Sequence, residues 1–331
     1  MKFIILTIVI LNSYSYGMSL DVEREMTVRK KLKGKLRVKS VNGKHRSIVA
    51  IIDSGIDYDN RYLRNRIYNP NKIKGFFGID LTTKKISYKP KDIDGHGTHM
   101  AGIITMISPK SLILPIKVVS KKGTGIDSSI KAIKLAIKYK VDIINISLAG
   151  STQSKKEKEE IQKAIDAGIV VVIAAGNSGR ALEDVKCYPA KYKIKDTIVV
   201  MNSTDDNKRY LNSNYSKEDV DIAAPGVNMP SFSIINILTN VKKSGTSQST
   251  AVISGMIASF KSFYPKYTPR EIKRFLLSSR KYNKSLLGKN RANGAVNFRF
   301  FLIMGRDFLK YKGTFAKFLN IYRLKRKKGM I

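Results

Sequence analysis

The stretch from Ser47 to Gly55 reads SIVAIIDSG and decides how the rest of the chain is interpreted. Its continuous apolar run ends in an acid, Asp53, and Ser54-Gly55 then turns the chain. A short apolar run of this kind is typical of a strand buried on both faces, as in a parallel sheet. Ligands of open parallel sheets bind at the carboxyl ends of the strands. We therefore predict that Asp53 lies at such an end, where a functional site can form.

Beyond this strand, apolar runs alternate with amphipathic stretches. Further strands are predicted over residues 111–118, 142–148, 169–174, 197–201 and 220–223. Helices are predicted to begin at Asp127 as a cap, at Ser154, and at Thr268, where Pro269 and Glu271 complete a start signal. Strands that alternate with helices predict βα units and an α/β fold with a parallel sheet.

Two of the three histidines of the chain lie in the segment DGHGTH, residues 94–99. His96 is predicted to open a helix, with His99 one turn later. A histidine between two glycines is poorly explained as core filling, because glycines let other groups approach closely. A metal site formed by His96 and His99 is the alternative, and it needs further ligands that the sequence does not identify.

A serine-rich stretch, KSGTSQSTA at residues 243–251, is predicted to be a tight turn that feeds a helix with Ser247 at its start. The first turn of a helix has unpaired backbone N–H groups and a partial positive charge. Both can stabilise the oxyanion that forms when a serine attacks a carbonyl. The position therefore suits a nucleophile, and the alternative is a serine that only caps the helix.

Asn177 follows the predicted strand at 169–174 and so projects from another carboxyl end. The alternative is an ordinary turn residue, a common role for asparagine.

Taken together, four stretches resemble the subtilisin-like serine proteases, peptidase family S8. They are IDSG at 52–55, GHGTH at 95–99, AGN at 175–177 and GTS at 245–247. The order Asp, His, Ser along the chain is the order of that family. The similarity runs from about Ser47 to Asn297 and includes YPA at 188–190 and AAPG at 223–226. Four motifs in one order are far more specific than any single motif.

The resemblance implies a three-layer α/β fold, a mostly parallel doubly wound sheet with helices on both faces. It implies a catalytic triad of Asp53, His96 and Ser247. It also implies an oxyanion hole formed by the Asn177 amide and the Ser247 N–H. The expected substrates are polypeptides, held in extended form by two backbone edges. These edges are Gly123, Thr124 and Gly125 on one side, and Ser147, Leu148, Ala149 and Gly150 on the other.

Several residues depart from the family pattern. Gln248, Ser249 and Ala251 replace the usual Met, Ala and Pro after the nucleophile, and Ala149 replaces a glycine beside the primary pocket. The single cysteine, Cys187, is expected at the floor of that pocket, with an inert buried thiol as the alternative. An acid that often serves calcium binding is absent, because the corresponding stretch reads RYL at 61–63. We therefore predict no cofactor and no metal, and a need for calcium is not supported.

The N-terminal residues have the layout of a secretory signal peptide: Lys2, an apolar run, then small and polar residues to Gly17. We predict a signal peptide over 1–17, a basic lead-in over 18–46, a peptidase domain over 47–297 and a basic apolar tail over 298–331. The protein is then exported, to the periplasm or the medium. The tail carries an amphipathic helix that either lies on an anionic membrane or packs back on the core.

The formal net charge is +37, with 62 Lys and Arg against 25 Asp and Glu. Because this charge is spread along the chain, we predict non-specific attraction to anionic surfaces and no specific nucleic-acid partner. The hypothesis is an exported monomeric serine endopeptidase with a complete triad. The alternative is a non-catalytic relative that binds peptides or polyanions, which the altered residues after Ser247 would suit.

Overall fold

The computed structural model describes residues 30–32, 43–120, 123–234, 241–311 and 313–327. The strands are β1 (Ile48–Asp53), β2 (Ile79–Asp80), β3 (Leu112–Lys117), β4 (Val119–Ser120), β5 (Gly123–Thr124), β6 (Ile143–Ile146), β7 (Val170–Ala174), β8 (Ile198–Ser203), β9 (Ile222–Pro225), β10 (Met229–Ser231), β11 (Val241–Lys243), β12 (Lys281–Tyr282) and β13 (Gly294–Ala295). The helices are α1 (Arg61–Arg64), α2 (His96–Ile107), α3 (Ile126–Lys138), α4 (Lys155–Asp166), α5 (Thr246–Phe263), α6 (Pro269–Ser278), α7 (Phe298–Lys310) and α8 (Phe315–Lys327).

Within these residues the main sheet has nine strands, in the order β12-β13-β9-β8-β7-β6-β1-β3-β2. All neighbouring strands pair in parallel except β12 and β13 at one edge. Strand β1 lies between β3 and β6, and its residues Val49 to Asp53 are buried. The predicted strand that ends in Asp53 is therefore confirmed as an interior strand of a parallel sheet.

Helices cover both faces of the sheet, and alternate residues of each strand supply the two cores. Val49 and Ile51 of β1 belong to the core under α2 and α5, the longest helix of the described residues. Ala50 and Ile52 belong to the core under α3 and α4. This division follows from the two-residue period of a strand. The three-layer α/β fold is confirmed.

The helix starts show where local sequence signals were sufficient. Thr268 caps α6, and Glu271 completes a capping box, as predicted. Ser154 caps α4 through a hydrogen bond from the Glu157 N–H. The predicted cap at Asp127 is wrong, because the N-cap of α3 is Gly125 and Asp127 lies inside the first turn. An acid in the first turn of a helix interacts favourably with the helix dipole, so the same residue serves a different purpose there.

The C-terminal helices pack on the core rather than standing apart from it. Phe318, Leu319 and Tyr322 are only 4%, 4% and 7% exposed. The Phe318 ring lies 5.1 Å from Phe308 and 6.3 Å from Phe275, measured between ring centroids. Of the two alternatives for this tail, the structure favours packing back on the core over lying on a membrane. The predicted boundary at residues 297 and 298 stays a prediction.

The predicted signal peptide lies outside the described residues, as does most of the lead-in over 18–46. None of the helices in the described parts of the chain is long and apolar enough to cross a membrane.

Candidate active site

Asp53 is the last residue of β1 and the most deeply buried of the predicted site residues, at 1% exposure. Its Oδ1 atom accepts a hydrogen bond from the Ser54 N–H at 2.7 Å and lies 2.8 Å from Nδ1 of His96. The end of the strand thus places a carboxylate beside the histidine.

The start of α2 fits tightly against the turn after β1. Gly95 precedes the helix in the left-handed region, with φ 87°. A Cβ atom on Gly97 would lie 2.2 Å from the Gly55 carbonyl oxygen, which no side chain can tolerate. The glycines on both sides of His96 therefore permit the close approach that puts its ring beside Asp53.

Asp92 organises the same region and was missed by the sequence analysis. It is 2% exposed. Its Oδ1 accepts from the Gly95 N–H at 2.8 Å and from Ser54 Oγ at 2.9 Å, and its Oδ2 accepts from the Thr98 N–H at 2.9 Å. Burial acts to raise the pKa of Asp92, but these hydrogen bonds outweigh it and hold the pKa below its usual value. Asp92 therefore stays ionised and ties the turn after β1 to the start of α2.

The ring of His96 experiences two opposing influences. Burial lowers the pKa of His96, while the charge of Asp53 and its hydrogen bond raise it. The balance leaves the pKa above its ordinary value. His96 is thus a base strengthened by a buried carboxylate, with a side chain that is 25% exposed and open to a cavity.

Ser247 is the second residue of α5 and is 7% exposed. Its Oγ donates a hydrogen bond to the Ser147 carbonyl at 3.0 Å. Within the described residues no hydrogen bond joins this hydroxyl to His96. Both side chains nevertheless line one cavity of about 360 Å³, which we call the Ser247 cavity. Such looser geometry is common in unliganded active sites.

Asn177 follows β7 and lines the Ser247 cavity. Its Oδ1 accepts from the Thr246 N–H at 2.9 Å and from Thr246 Oγ1 at 3.1 Å. Thr246 therefore fixes the orientation of the amide and leaves its Nδ2 as a donor without a partner among the described residues. A fixed, unpaired N–H donor beside Ser247 is the geometry that an oxyanion hole requires.

The two predicted substrate edges lie on either side of a second cavity, also of about 360 Å³. One edge is β5, which pairs with β4 in an antiparallel hairpin. The other runs from Ser147 to Gly150, and Gly150 exchanges two backbone hydrogen bonds of 2.9 Å with Tyr188. Gly123, Thr124 and Ala149 are exposed and line this cavity, whereas Gly125 caps α3 and does not line it.

The residues that depart from the family pattern lie mostly in the interior. Gln248, Ser249 and Ala251 are 2%, 0% and 0% exposed, and Ser249 Oγ donates to the Ala224 carbonyl at 2.9 Å. They pack behind the nucleophile. The Cys187 thiol is buried behind Gly176 and donates to the Ala175 carbonyl at 3.3 Å, and it lines neither cavity. Burial raises the pKa of Cys187, which suits an inert thiol.

His99 and His96 bind different partners. The Nε2 atom of His99 lies 3.1 Å from the Met229 carbonyl and 3.2 Å from the Val241 carbonyl, and so joins the helix to β10 and β11. Burial lowers the pKa of His99 to about 3. The stretch at 61–63 forms α1, where Tyr62 and Leu63 are buried and no carboxylate is supplied. Neither place offers the ligand set of a metal site.

The chain matches the Subtilase family, peptidase S8, over residues 44–300. It is 32% identical over 262 residues to a thermostable alkaline protease of Halalkalibacterium halodurans, with 75% of this chain and 65% of the relative covered. It is 30% identical over 250 residues to the major intracellular serine protease of Bacillus subtilis (strain 168), with 71% and 74% covered. The chain therefore belongs to the subtilase family and is a subtilisin-like serine endopeptidase.

Solved structures agree with this assignment. A chain from the subtilase cytotoxin SubAB has a TM-score of 0.69 and 25% identity, covering 81% of this chain and 92% of that chain. A protease from Pseudoalteromonas arctica PAMC 21717 has a TM-score of 0.67 and 21% identity, covering 80% and 91%. The second likeness concerns the fold alone, and it confirms the subtilisin-like arrangement of the sheet and helices.

Proposed function

We propose that the chain hydrolyses peptide bonds through Asp53, His96 and Ser247, with Asn177 and the Ser247 N–H as the oxyanion hole. The observation that carries this proposal is the buried Asp53 carboxylate, 2.8 Å from His96 Nδ1, at the cavity that Ser247 also lines. A buried carboxylate on one ring nitrogen leaves the other nitrogen free to act as the base.

In the first step, rotation of the Ser247 side chain away from the Ser147 carbonyl directs its hydroxyl to His96 Nε2. His96 takes the proton as Oγ attacks the substrate carbonyl, and it later delivers that proton to the leaving amine. Asp53 holds the ring in the tautomer with the proton on Nδ1. Its charge stabilises the imidazolium without taking up the proton itself.

The negative charge that develops on the substrate oxygen needs donors that are already in place. Asn177 Nδ2 is oriented by the two hydrogen bonds between its Oδ1 and Thr246. The Ser247 N–H belongs to the first turn of α5, where backbone N–H groups lack partners within the helix. Together they supply one side-chain donor and one backbone donor.

The substrate is a polypeptide that pairs its backbone with the edges at 123–124 and 147–150. Export through the predicted signal peptide is part of the proposal, although one of the relatives is named an intracellular protease. The net charge of +37 supports attraction to anionic surfaces. This attraction predicts retention on heparin that falls steeply with ionic strength.

The test is cleavage of casein by the purified protein beside Ser247→Ala. The parent should release peptides and the variant should not, while both give the same circular dichroism spectrum. If the folded parent cleaves no more casein than the variant, the result favours the non-catalytic alternative, in which the hydroxyl stays bound to the Ser147 carbonyl. Export is tested by determining the N-terminal residue of the protein that is recovered outside the cells. This residue should lie near position 18.

A further inference from the structure

The second cavity, which we call the Glu157 cavity, adjoins the Ser247 cavity through Leu148 and Ala149. It is about 360 Å³ in volume, and Asp53, His96 and Ser247 do not line it. A cavity between the two peptide-holding edges but away from the reacting groups suits a substrate side chain at some distance from the cleaved bond. Its chemistry therefore bears on substrate preference.

A buried carboxylate is among the groups that line this cavity. Glu157 is 4% exposed and lies in the first turn of α4. One of its oxygens accepts from Ser129 Oγ, and the other accepts from the Tyr192 hydroxyl at 2.7 Å. Burial and the hydrogen bond to Glu157 raise the pKa of Tyr192, so the phenol remains a neutral donor. Both partners of Glu157 are thus uncharged.

Among the described residues Glu157 has no counter-ion, although the chain carries 62 basic against 25 acidic residues. Glu160, one turn later on the same helix, is 7% exposed and pairs with Lys163 at 2.7 Å and Lys134 at 3.8 Å. Among the described residues no Lys or Arg nitrogen lies within 4.0 Å of Glu157. A buried carboxylate without a cation is unfavourable, and a carboxylate can accept more hydrogen bonds than the two it has.

A capping box does not account for the position of this carboxylate. The Ser154 side chain already accepts from the Glu157 N–H, and a capping box would need the Glu157 carboxylate to return to the Ser154 N–H. The Ser154 N–H instead donates to the Tyr192 hydroxyl at 3.0 Å. The carboxylate is held at the wall of the cavity by Ser129 and Tyr192.

We propose that the Glu157 cavity binds a lysine or arginine side chain of the substrate, with Glu157 as the residue that determines this preference. The apolar walls formed by Leu148, Ala149 and Pro189 would cover the methylene stem of such a side chain. Its cation would then meet the buried Glu157 carboxylate, which has no counter-ion among the described residues. This inference rests on the proposed peptidase function and specifies its substrate class.

The experiment uses peptides in which lysine, arginine or norleucine is placed at one position at a time on both sides of the cleaved bond. Norleucine retains the methylene stem and removes the charge. The long-range field of a chain with net charge +37 disfavours basic peptides in general. A preference for lysine at one position alone therefore identifies a local carboxylate.

The parent should cleave the best lysine peptide at least about tenfold faster in kcat/KM than its norleucine counterpart, as expected for a charge-assisted contact. Glu157→Gln keeps the size of the side chain and should abolish that ratio while leaving cleavage of the norleucine peptide nearly unchanged. Glu160→Gln is the matched control, and it should keep the ratio. A parent without a positional preference, or a preference that survives in Glu157→Gln, would overturn the proposal.

A binding measurement distinguishes failure of the proposed peptidase function from failure of the cavity assignment. If the folded parent cleaves none of the peptides, the affinities of the lysine and norleucine peptides for the parent and for Glu157→Gln are measured by fluorescence anisotropy. Tighter binding of the lysine peptide by the parent alone would support the cavity assignment without catalysis. Equal affinities would refute it.

Discussion

His96 and His99 lie one turn apart on α2 and have opposite environments. His96 faces Asp53 and the Ser247 cavity, and its pKa is raised above the ordinary value. His99 is fully buried between two backbone carbonyls, and its pKa is lowered to about 3. Two histidines of one motif therefore differ in basicity, because a neighbouring carboxylate raises the pKa of one and burial lowers the pKa of the other.

The largest expected effect is on the rate of hydrolysis, and it distinguishes substitution of His96 from substitution of His99. His96→Ala removes the base and should lower kcat by about 10⁴–10⁶. This range is an analogy with the loss of triad residues in subtilisin. Some loss of stability is expected as well, because the buried Asp53 carboxylate loses its partner, so the rate is compared per folded molecule. The measurement is the hydrolysis rate together with thermal unfolding.

His99→Ala should act mainly on stability. It leaves the Met229 and Val241 carbonyls without their shared donor and creates a cavity, so we expect a loss of about 2–4 kcal/mol in the free energy of unfolding. The rate per folded molecule should fall far less than in His96→Ala. Equal losses of rate in the two variants would contradict the different roles assigned to His96 and His99.

A smaller effect is expected at the oxyanion hole. Asn177→Leu removes the Nδ2 donor and also the Oδ1 acceptor of the Thr246 N–H. By analogy with the corresponding subtilisin asparagine, kcat should fall by about 10²–10³. Asn177→Asp is the control, since it keeps an acceptor for Thr246 but cannot donate when ionised. If KM rises in both variants while kcat is unchanged, Asn177 binds substrate instead of stabilising the oxyanion.

Local signals in the sequence account for much of the fold and for the principal site residues. The apolar run before Asp53 predicted an interior strand, and Thr268, Pro269 and Glu271 predicted the start of α6. The glycines around His96 indicated a close approach by other groups, and the group that approaches Gly97 is the turn after β1. Each of these features depends on neighbours in sequence, which is why each could be recognised without coordinates.

Features that depend on distant residues could not be predicted in this way. Asp92 joins two segments through its buried carboxylate, and its own sequence neighbourhood resembles an ordinary loop. The N-cap of α3 is Gly125, whose backbone is extended with φ −81°, and not Asp127 as the sequence predicted. Glu157 reads as a helix-start acid, and only the packing of Ser129, Tyr192 and the peptide edges around it indicates a role in binding.

The pH dependence of serine labelling tests the central claim most directly, namely that His96 activates Ser247. The parent, His96→Ala and His99→Ala are each incubated with a fluorophosphonate probe between pH 5 and pH 9. Only neutral His96 can take a proton, so labelling of the parent should rise with pH through a midpoint above 6.5, the ordinary value for histidine.

His99 is neutral throughout this range because its pKa is about 3, so the midpoint should be unchanged in His99→Ala at a temperature where that variant is folded. His96→Ala should label negligibly at every pH. A parent that labels without this midpoint, or a His96→Ala variant that labels at the parental rate, would contradict the account.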